Sequence, residues 1–191
     1  MGIVKRNVQV SMVRADLEHI PDYALPPGYA ARWHAPGDEH TWVAIHQAAE
    51  RFVPTSLRVF KREFGSDSEL LADRQCFLCD ARGKAIGTAT AWFDDDYENL
   101  PYGRLHWVAV VPEMQGRGLS KPLLSIVLRR MRELGHERAY LSTSTGRVPA
   151  INLYLKFGFV PGISNADDYN TWRELQGYLK ESVALDGPHQ A

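Results

Sequence analysis

The chain has 191 residues, of which 45% are hydrophobic and 24% charged, a balance that excludes an intrinsically disordered protein and favours one globular domain. Lysine and arginine total 22 against 23 aspartate and glutamate residues, so the net charge of -1 lacks the basic excess that binding to a phosphate backbone requires. We therefore expect no nucleic-acid partner.

Neither secretion nor membrane insertion is predicted. Met1–Val13 alternates polar and apolar residues instead of forming the continuous apolar run of a signal peptide. No later segment approaches the roughly 20 apolar residues that a membrane span requires. We therefore expect no membrane partner and a cytoplasmic location.

The first half of the chain predicts a lead-in, two helices and a hairpin. Residues 1–28 are rich in proline and turn residues toward their end, which indicates a loosely structured surface lead-in before a single domain at residues 29–191. The predicted elements are a strand at Tyr29–Trp33, a helix capped by Asp38 that runs through Ala49, a helix after Pro54 that ends at Gly65, a hairpin of Gln75–Asp80 and Lys84–Phe93, and a polar exit loop at Asp94–Pro101.

The second half alternates strands and helices. The predicted elements are a strand at Gly103–Val111, a helix with the apolar face Leu123, Leu124, Val127, Leu128, Met131 and Leu134, a strand at Ala139–Ser142, a helix at Val148–Phe157, a strand at Phe159–Val160 and an amphipathic helix at Asn170–Ser182. Gly135 is placed to cap the first of these helices. Alternation of this kind after a hairpin predicts the α/β class, with a mixed sheet flanked by helices.

The two cysteines, Cys76 and Cys79, form an isolated C-x-x-C in a predicted strand. Side chains three positions apart on a strand point to opposite faces, and no second cysteine pair completes a zinc site. This pattern favours structural thiols over redox or metal chemistry. No histidine, aspartate and glutamate set has metal-ligand spacing either, so we expect no metal.

The loop between the strand at Gly103–Val111 and the following helix has the features of an anion site. The first N–H groups of a helix have no intrahelical partner, and the helix dipole adds about half a positive charge there. Glycine at 116 and 118 leaves room for a phosphate, and Arg117 can add a charged contact. The loop matches neither the P-loop G-x-x-x-x-G-K-[ST] nor the dinucleotide pattern G-x-G-x-x-G.

Two ordered motifs carry a resemblance to a known family. Residues 115–120, Q-G-R-G-L-S, fit Q-x-x-G-x-[GA] after the V-x-P at 110–112, except that Ser120 replaces Gly or Ala. Residues 153–159, L-Y-L-K-F-G-F, fit L-Y-x-K-x-G-F, while Arg147 replaces a frequent Asn seven positions before Tyr154. The chain resembles the GNAT superfamily of acyl-CoA-dependent N-acyltransferases. The resemblance implies a mostly antiparallel central sheet with a coenzyme-binding core at residues 103–160.

The resemblance also implies how acetyl-CoA is bound as co-substrate. Pantetheine pairs with exposed main-chain groups of the strand segment Val108, Ala109 and Val110, and the Val110 amide polarises the thioester carbonyl. The coenzyme pyrophosphate lies against the main chain of a loop made of Gln115, Gly116, Arg117, Gly118, Leu119, Ser120 and Lys121.

Tyr154 and His106 are the candidates for proton transfer. By its position in the family motif, Tyr154 protonates the departing thiolate; the alternative is an ordinary core aromatic. Strand alternation places His106 on one face with Val108 and Val110, and in the aralkylamine branch a histidine on this strand relays the amine proton through water. The alternative is a core histidine, and the family's strand carries a bulge here that would reverse the facing.

The acceptor is the least specified part of the site. The resemblance implies an amine, and the acidic segment Asp94–Glu98 either attracts a cationic amine or is a solvated turn. Residues 25–29 and 36–38 are also similar to mycothiol synthases, whose substrate is not transferred to this chain. The helix at 170–182 either covers the acceptor groove or packs against another subunit, as in a homodimer. A second functional class, a non-catalytic acyl-CoA sensor, needs the loop but no proton donor at the sulfur.

Overall fold

The computed structural model describes residues 2–185. Contacts divide the chain into two compact units, one formed by the residues up to Ile20 with those from Glu137 onward, and the other by Pro21–His136. The sequence predicted one domain from residue 29; the contacts instead place both ends of the chain in one unit.

The elements are numbered in chain order. They are α1 (Ile3–Arg6), β1 (Gln9–Arg14), β2 (Ala30–Trp33), α2 (Asp38–Ala49), α3 (Leu57–Phe64), α4 (Ser68–Arg74), β3 (Gln75–Cys79), β4 (Ala85–Tyr97), β5 (Leu100–Val110), α5 (Ser120–Glu133), β6 (Ala139–Ser144), α6 (Val148–Lys156), β7 (Val160–Gly162) and α7 (Ala166–Leu175). Short 3-10 helices lie at Pro112–Met114 and Gln176–Tyr178. Among these described residues, no helix has the length and apolar character to cross a membrane.

The unit of residues 21–136 contains four strands in the order β2-β3-β4-β5, with each neighbouring pair antiparallel. Helices α2 and α3 pack on one face of this sheet through a largely aromatic cluster. Its buried members are Trp42, Ile45, Phe60, Phe64, Leu71, Phe77 and Ala109. Helix α5 also packs against β3, β4 and β5, and buries the face that the sequence predicted, from Leu123 to Met131.

The segment Asp94–Pro101 was predicted to be a polar exit loop, and this prediction is wrong except at Glu98 and Asn99, which form a turn. Strand β4 continues through Tyr97, and Asp94 pairs with Tyr102 of β5. Glu98 and Asn99 both have positive φ, 53° and 61°, as the two central residues of a tight hairpin turn require. Pairing with β5 therefore overrides the low strand propensity of three successive aspartates.

The unit formed by the two ends of the chain contains three strands in the order β6-β1-β7, all antiparallel. Strand β1 is central and buries Val10 and Met12, so the prediction of a loosely structured surface lead-in is wrong for Gln9–Arg14. All strand pairs described within the two units are antiparallel, and helices α2 and α5 pack on the strands of the unit of residues 21–136. The predicted α/β class with a mostly antiparallel sheet is confirmed.

The helix predicted at Asn170–Ser182 begins and ends earlier. Helix α7 spans Ala166–Leu175, because the Asn165 side chain accepts hydrogen bonds from the N–H groups of the first turn. Trp172 and Leu175 are fully buried, and α7 contacts α1. The apolar face of the helix is therefore covered within its own unit.

Cys76 and Cys79 are buried free thiols. The regular register of β3 with β2 places them on opposite faces of the strand, as the sequence predicted. Burial raises the pKa of Cys76 to about 12, which keeps this thiol protonated and unreactive.

Candidate functional site

The loop at residues 115–120 joins the 3-10 helix after β5 to α5. Gly116 and Gly118 have φ of 75° and 77°, a backbone conformation that strains any residue with a Cβ. A Cβ built on either glycine would point into open space, with no heavy atom within 4 Å. The loop therefore keeps an open surface on the side that a side chain would otherwise occupy.

Main-chain N–H groups line this loop. The N–H of Gln115 bonds the Pro112 carbonyl at 3.2 Å, and that of Lys121 bonds the Gly118 carbonyl at 3.2 Å. Between them, the N–H groups of residues 116–120 make no hydrogen bond to any residue that the structure describes, and no side chain caps α5. An anion at a helix N-terminus satisfies such groups and is favoured by the helix dipole. The N–H groups of Gln115 and Lys121 are already used within the loop.

The Gln115 side chain links the loop to β5 by a hydrogen bond. Its Nε2 donates to the Val110 carbonyl at 2.8 Å. The sequence placed Gln115 among the coenzyme contacts, whereas its side chain here fixes the loop to the end of the strand.

A β-bulge interrupts β5 at Trp107. Thr88 pairs with Ala109 and Thr90 pairs with His106, so Trp107 and Val108 together oppose a single residue of β4. Trp107 has φ of 49°, which is strained for a bulky side chain. The extra residue reverses the alternation, so the prediction that His106 shares a face with Val108 and Val110 is wrong. His106 lies on the face of Ala109, toward α2 and α3.

The register also decides which main-chain groups of β5 point toward β4. The Val111 N–H bonds the Ile86 carbonyl at 2.9 Å. Because main-chain groups alternate in direction along a strand, those of Ala109 also point to β4, while those of Val110 point away from it. The main-chain groups of Ala109 are therefore directed at β4 and those of Val110 away from it, while the contacts of pantetheine with Val108, Ala109 and Val110 stay predictions.

His106 is buried between aromatic and acidic side chains. Its ring lies 5.4 Å from the ring of Phe64, and its Nε2 lies 3.1 Å from a carboxylate oxygen of Glu63 on α3. Burial lowers the pKa of His106 to about 4, an effect that the hydrogen bond with Glu63 opposes. The imidazole is therefore neutral at pH 7. Glu63 was not among the predicted site residues, because nothing in the local sequence of α3 shows that it faces β5.

Tyr154 lies on α6, packed against the ring of Phe159 at 6.2 Å between centroids. Burial raises its pKa to about 12, although the positive charge of Arg147 acts in the opposite direction. Its hydroxyl makes no hydrogen bond to a residue within the described range. The hydroxyl is therefore protonated at pH 7 and can donate its hydrogen to another group.

Within residues 2–185, no group of three or more His, Cys, Asp and Glu side chains is arranged to hold a metal ion. The absence of a metal stays an expectation.

Comparison with known proteins decides the family. Residues 42–159 match the acetyltransferase (GNAT) family. The chain belongs to this family. The matched range includes the bulge at Trp107, the loop at 115–120 and Tyr154. The two motifs that carried the resemblance, at residues 110–120 and 153–159, also lie within it.

Curated relatives agree with this family, and a solved structure agrees with the fold. A mycothiol acetyltransferase of Pseudarthrobacter chlorophenolicus is 31% identical over 157 residues, which are 80% of this chain and 48% of that protein. One from Saccharomonospora viridis is 31% identical over 153 residues, 73% of this chain and 48% of that protein. The chain spans about half the length of these relatives. A GCN5-related N-acetyltransferase structure from Sphaerobacter thermophilus superposes with a TM-score of 0.67 at 24% identity, over 82% of this chain and 50% of the other, and supports the fold.

Proposed function

We propose that the protein transfers an acetyl group from acetyl-CoA directly to a primary amine of a small molecule or peptide. The observation that supports coenzyme binding is the row of unbonded N–H groups at residues 116–120, in the segment that matches the family. Because a sensor needs the same loop, the feature that favours an enzyme is Tyr154, a protonated hydroxyl at the position of the family's proton donor. A pyrophosphate fits such a row because it brings negative charge and several acceptor oxygens to the positive end of α5. The open space beside Gly116 and Gly118 lets the phosphates approach the main chain.

In the proposed reaction the amine nitrogen attacks the thioester carbonyl carbon. A C–N bond forms and the C–S bond breaks, so that coenzyme A leaves as a thiolate. The N–H of Val110 points away from β4 and donates to the carbonyl oxygen, where negative charge develops in the transition state. Main-chain donors of this kind are held by the sheet and need no reorganisation during the reaction.

Two side chains carry the protons. Neutral His106 takes the proton that the attacking nitrogen loses, and Tyr154 gives its own proton to the thiolate sulfur. A tyrosine with a pKa of about 12 stays protonated until charge develops on the sulfur. His106 then releases its proton to solvent, and Tyr154 takes one up from solvent. The overall reaction therefore neither releases nor consumes a proton.

The acceptor is proposed only as a class. Asp95 and Asp96 are exposed near the tip of the β4–β5 hairpin and would attract a cationic amine. The relatives are named mycothiol acetyltransferases, so an acceptor of the mycothiol type is one candidate to test, although the chain covers only about half of those proteins.

A panel of amines tests the proposal. The protein is incubated with acetyl-CoA and aliphatic amines, aromatic amines, peptides with free N-termini and an amine of the mycothiol type. Free coenzyme A is measured by chromatography, so that an acceptor's own thiol does not interfere. We expect at least one amine to raise coenzyme A release above the amine-free blank, with an equal amount of acetylated amine. Tight coenzyme binding without release for any amine would instead indicate a sensor, the alternative functional class.

A further inference from the structure

Two neighbouring side chains of β5 converge on one carboxylate oxygen. His106 Nε2 lies 3.1 Å from Glu63 Oε2, and Trp107 Nε1 donates to the same oxygen at 3.2 Å. Neighbouring residues of a regular strand point to opposite faces. They reach the same oxygen here because Trp107 occupies the bulge with its φ of 49°.

The strain at Trp107 is held in place by several contacts. Its ring lies 5.0 Å from the ring of Trp42 and 5.0 Å from that of His46, both on α2. A strained residue of this kind persists only where its surroundings fix it, most often at functional sites.

Glu63 is ionised in this environment. Its other oxygen, Oε1, accepts two hydrogen bonds from Arg62, at 2.9 and 2.7 Å. The hydrogen bond with His106 and those from Arg62 and Trp107 lower the pKa of Glu63 to about 2, against the opposing effect of its partial burial. An ionised carboxylate accepts hydrogen bonds and cannot donate one. The hydrogen between Glu63 and His106 therefore lies on Nε2 of the imidazole.

This hydrogen bond fixes the tautomer of His106. A neutral imidazole carries one hydrogen, so Nδ1 holds the lone pair when Nε2 is protonated. Nδ1 makes no hydrogen bond to a residue that the structure describes. The other titratable groups near the ring are Arg104, whose charge lowers the pKa of His106, and His46, which burial keeps neutral with a pKa of about 3.

We propose that Glu63 is a positioning residue that holds His106 with its hydrogen on Nε2, so that Nδ1 is the atom that accepts the proton of the attacking amine. This inference rests on the proposed function. As the amine N–C bond forms, the proton moves from nitrogen to Nδ1, and the Glu63 carboxylate stabilises the imidazolium that results. The same oxygen anchors Trp107, so one carboxylate sets both the bulge and the orientation of the imidazole.

The tautomer is tested without any assay of activity. Protein labelled with ¹⁵N-histidine is measured by long-range ¹H–¹⁵N correlation spectroscopy near pH 7, and His106 is assigned by comparison with His106→Gln. We expect a protonated Nε2 and an unprotonated Nδ1. A hydrogen on Nδ1 would overturn the proposal. Because this experiment uses the wild-type chain alone, its result stands even if no amine in the panel is acetylated, which would refute only the proposed function.

A matched pair of variants tests the effect on catalysis. Glu63→Gln keeps the size of the side chain and removes its charge, while Glu69→Gln makes the same change at an exposed position of α4. We expect Glu63→Gln to lower kcat by about 10- to 100-fold with little change in the KM for acetyl-CoA, as for other groups that orient a reactive side chain. Glu69→Gln should retain the wild-type rate.

The pH profile separates positioning from a structural role. Because the Glu63 hydrogen bond raises the pKa of His106, Glu63→Gln should move the acidic limb of kcat/KM to lower pH as well as lowering the rate. A Glu63→Gln protein that melts at a lower temperature but keeps the wild-type kcat and acidic limb would show that Glu63 only joins α3 to β5, and would overturn the proposal.

Discussion

At His106, burial and a neighbouring carboxylate act on one imidazole in opposite directions. Burial favours the neutral ring, and Glu63 favours the charged ring. Burial has the larger effect, so the pKa of His106 lies near 4 instead of near its ordinary value of 6.5. A base with this pKa is unprotonated at pH 7 and releases its proton quickly after accepting it.

The first prediction concerns the pH at which the base is lost. With one amine, kcat/KM is measured for wild type and for His106→Gln. The ratio of the wild-type value to the variant value cancels the pH dependence of amine ionisation, because that ionisation is the same for both proteins. We expect a ratio above one that is constant from about pH 8 to about pH 5 and falls toward pH 4, since the histidine of the free enzyme is protonated there. A ratio of one at every pH would show that His106 takes no part in proton transfer.

The second prediction concerns Tyr154. We expect Tyr154→Phe to lower kcat by about 10²–10⁴-fold, the range for one general acid, with little change in acetyl-CoA affinity. The hydroxyl acts on charge that develops only on the departing sulfur, so the ground-state complex is unaffected. Tyr178→Phe removes a hydroxyl from a half-exposed side chain and serves as the control. If Tyr154→Phe keeps full kcat, Tyr154 is a packing residue.

The sequence predicted these two residues by different means. The family motif indicated Tyr154, and its ordinary pKa near 10 already implied a protonated donor at pH 7. Strand alternation gave His106 the wrong face, and Glu63 was missed altogether. The contact between Glu63 and His106 joins residues 43 positions apart, and such tertiary pairs leave no local pattern in one sequence.

At the scale of elements, the loop at 115–120 should bind the coenzyme through its main chain. We expect Gly118→Val to abolish measurable acetyl-CoA binding, because its side chain would fill the space beside the N–H groups. Arg117→Ala should weaken binding by about 10- to 100-fold, as for one charged hydrogen bond. Isothermal titration calorimetry measures both. Equal losses in the two variants would contradict a site built mainly from main-chain groups.

Gly83→Val is the matched control for strain in that experiment. Gly83 has φ of 78°, close to the 77° of Gly118, and a Cβ there also points into open space. The two substitutions therefore impose similar backbone strain at different places. Gly83→Val should keep wild-type affinity for acetyl-CoA, so that any loss specific to Gly118→Val reports on the loop.

Element boundaries followed the sequence where local signals were strong. Helix α5 was predicted from its apolar face and from Gly135, whose φ of 87° ends it. The bulge at Trp107 was not predictable from the residues themselves, because tryptophan is among the side chains least suited to positive φ. Glu63, Trp42 and His46 fix this conformation from other elements, and only the structure shows that they surround it.

For the whole molecule, the buried histidines make stability depend on pH. His46 and His106 have folded-state pKa values of about 3 and about 4, below the ordinary value of 6.5. The unfolded chain therefore takes up more protons than the folded chain as pH falls below 6.5. The free energy of unfolding should decrease by about 1.4 kcal/mol per pH unit for each histidine between about pH 6 and pH 4. Above pH 7 this contribution is constant.

Urea unfolding at several pH values measures this slope. His46→Gln should reduce the slope by about 1.4 kcal/mol per pH unit, the contribution of one histidine, whatever the substitution does to stability at pH 7. Glu63 adds to the slope only below about pH 5, because its stabilising interaction is lost as pH falls from its ordinary pKa of 4.5 toward its folded pKa of about 2. The contribution of the histidines is therefore taken from the slope between about pH 6 and pH 5. A slope unchanged in His46→Gln would show that His46 is not held neutral by burial.

The fold class and the family could be predicted from the sequence. Which segments of the chain pack into the same unit could not. Alternating strands and helices predicted the α/β class, and two motifs predicted the GNAT family. Strand β1 was missed because its six residues lie far along the chain from the β6 and β7 that pair with it. Its buried Val10 and Met12 alternate with polar residues, but the flanking proline-rich segment favoured an irregular lead-in.

The central claim is that the coenzyme pyrophosphate binds the main chain of the loop before α5. A crystal structure of the protein with coenzyme A tests this most directly. We expect pyrophosphate oxygens within about 3 Å of several N–H groups of residues 116–120, with no rearrangement of the loop. Coenzyme A bound with its phosphates elsewhere on the protein, and with these N–H groups unoccupied, would contradict the account.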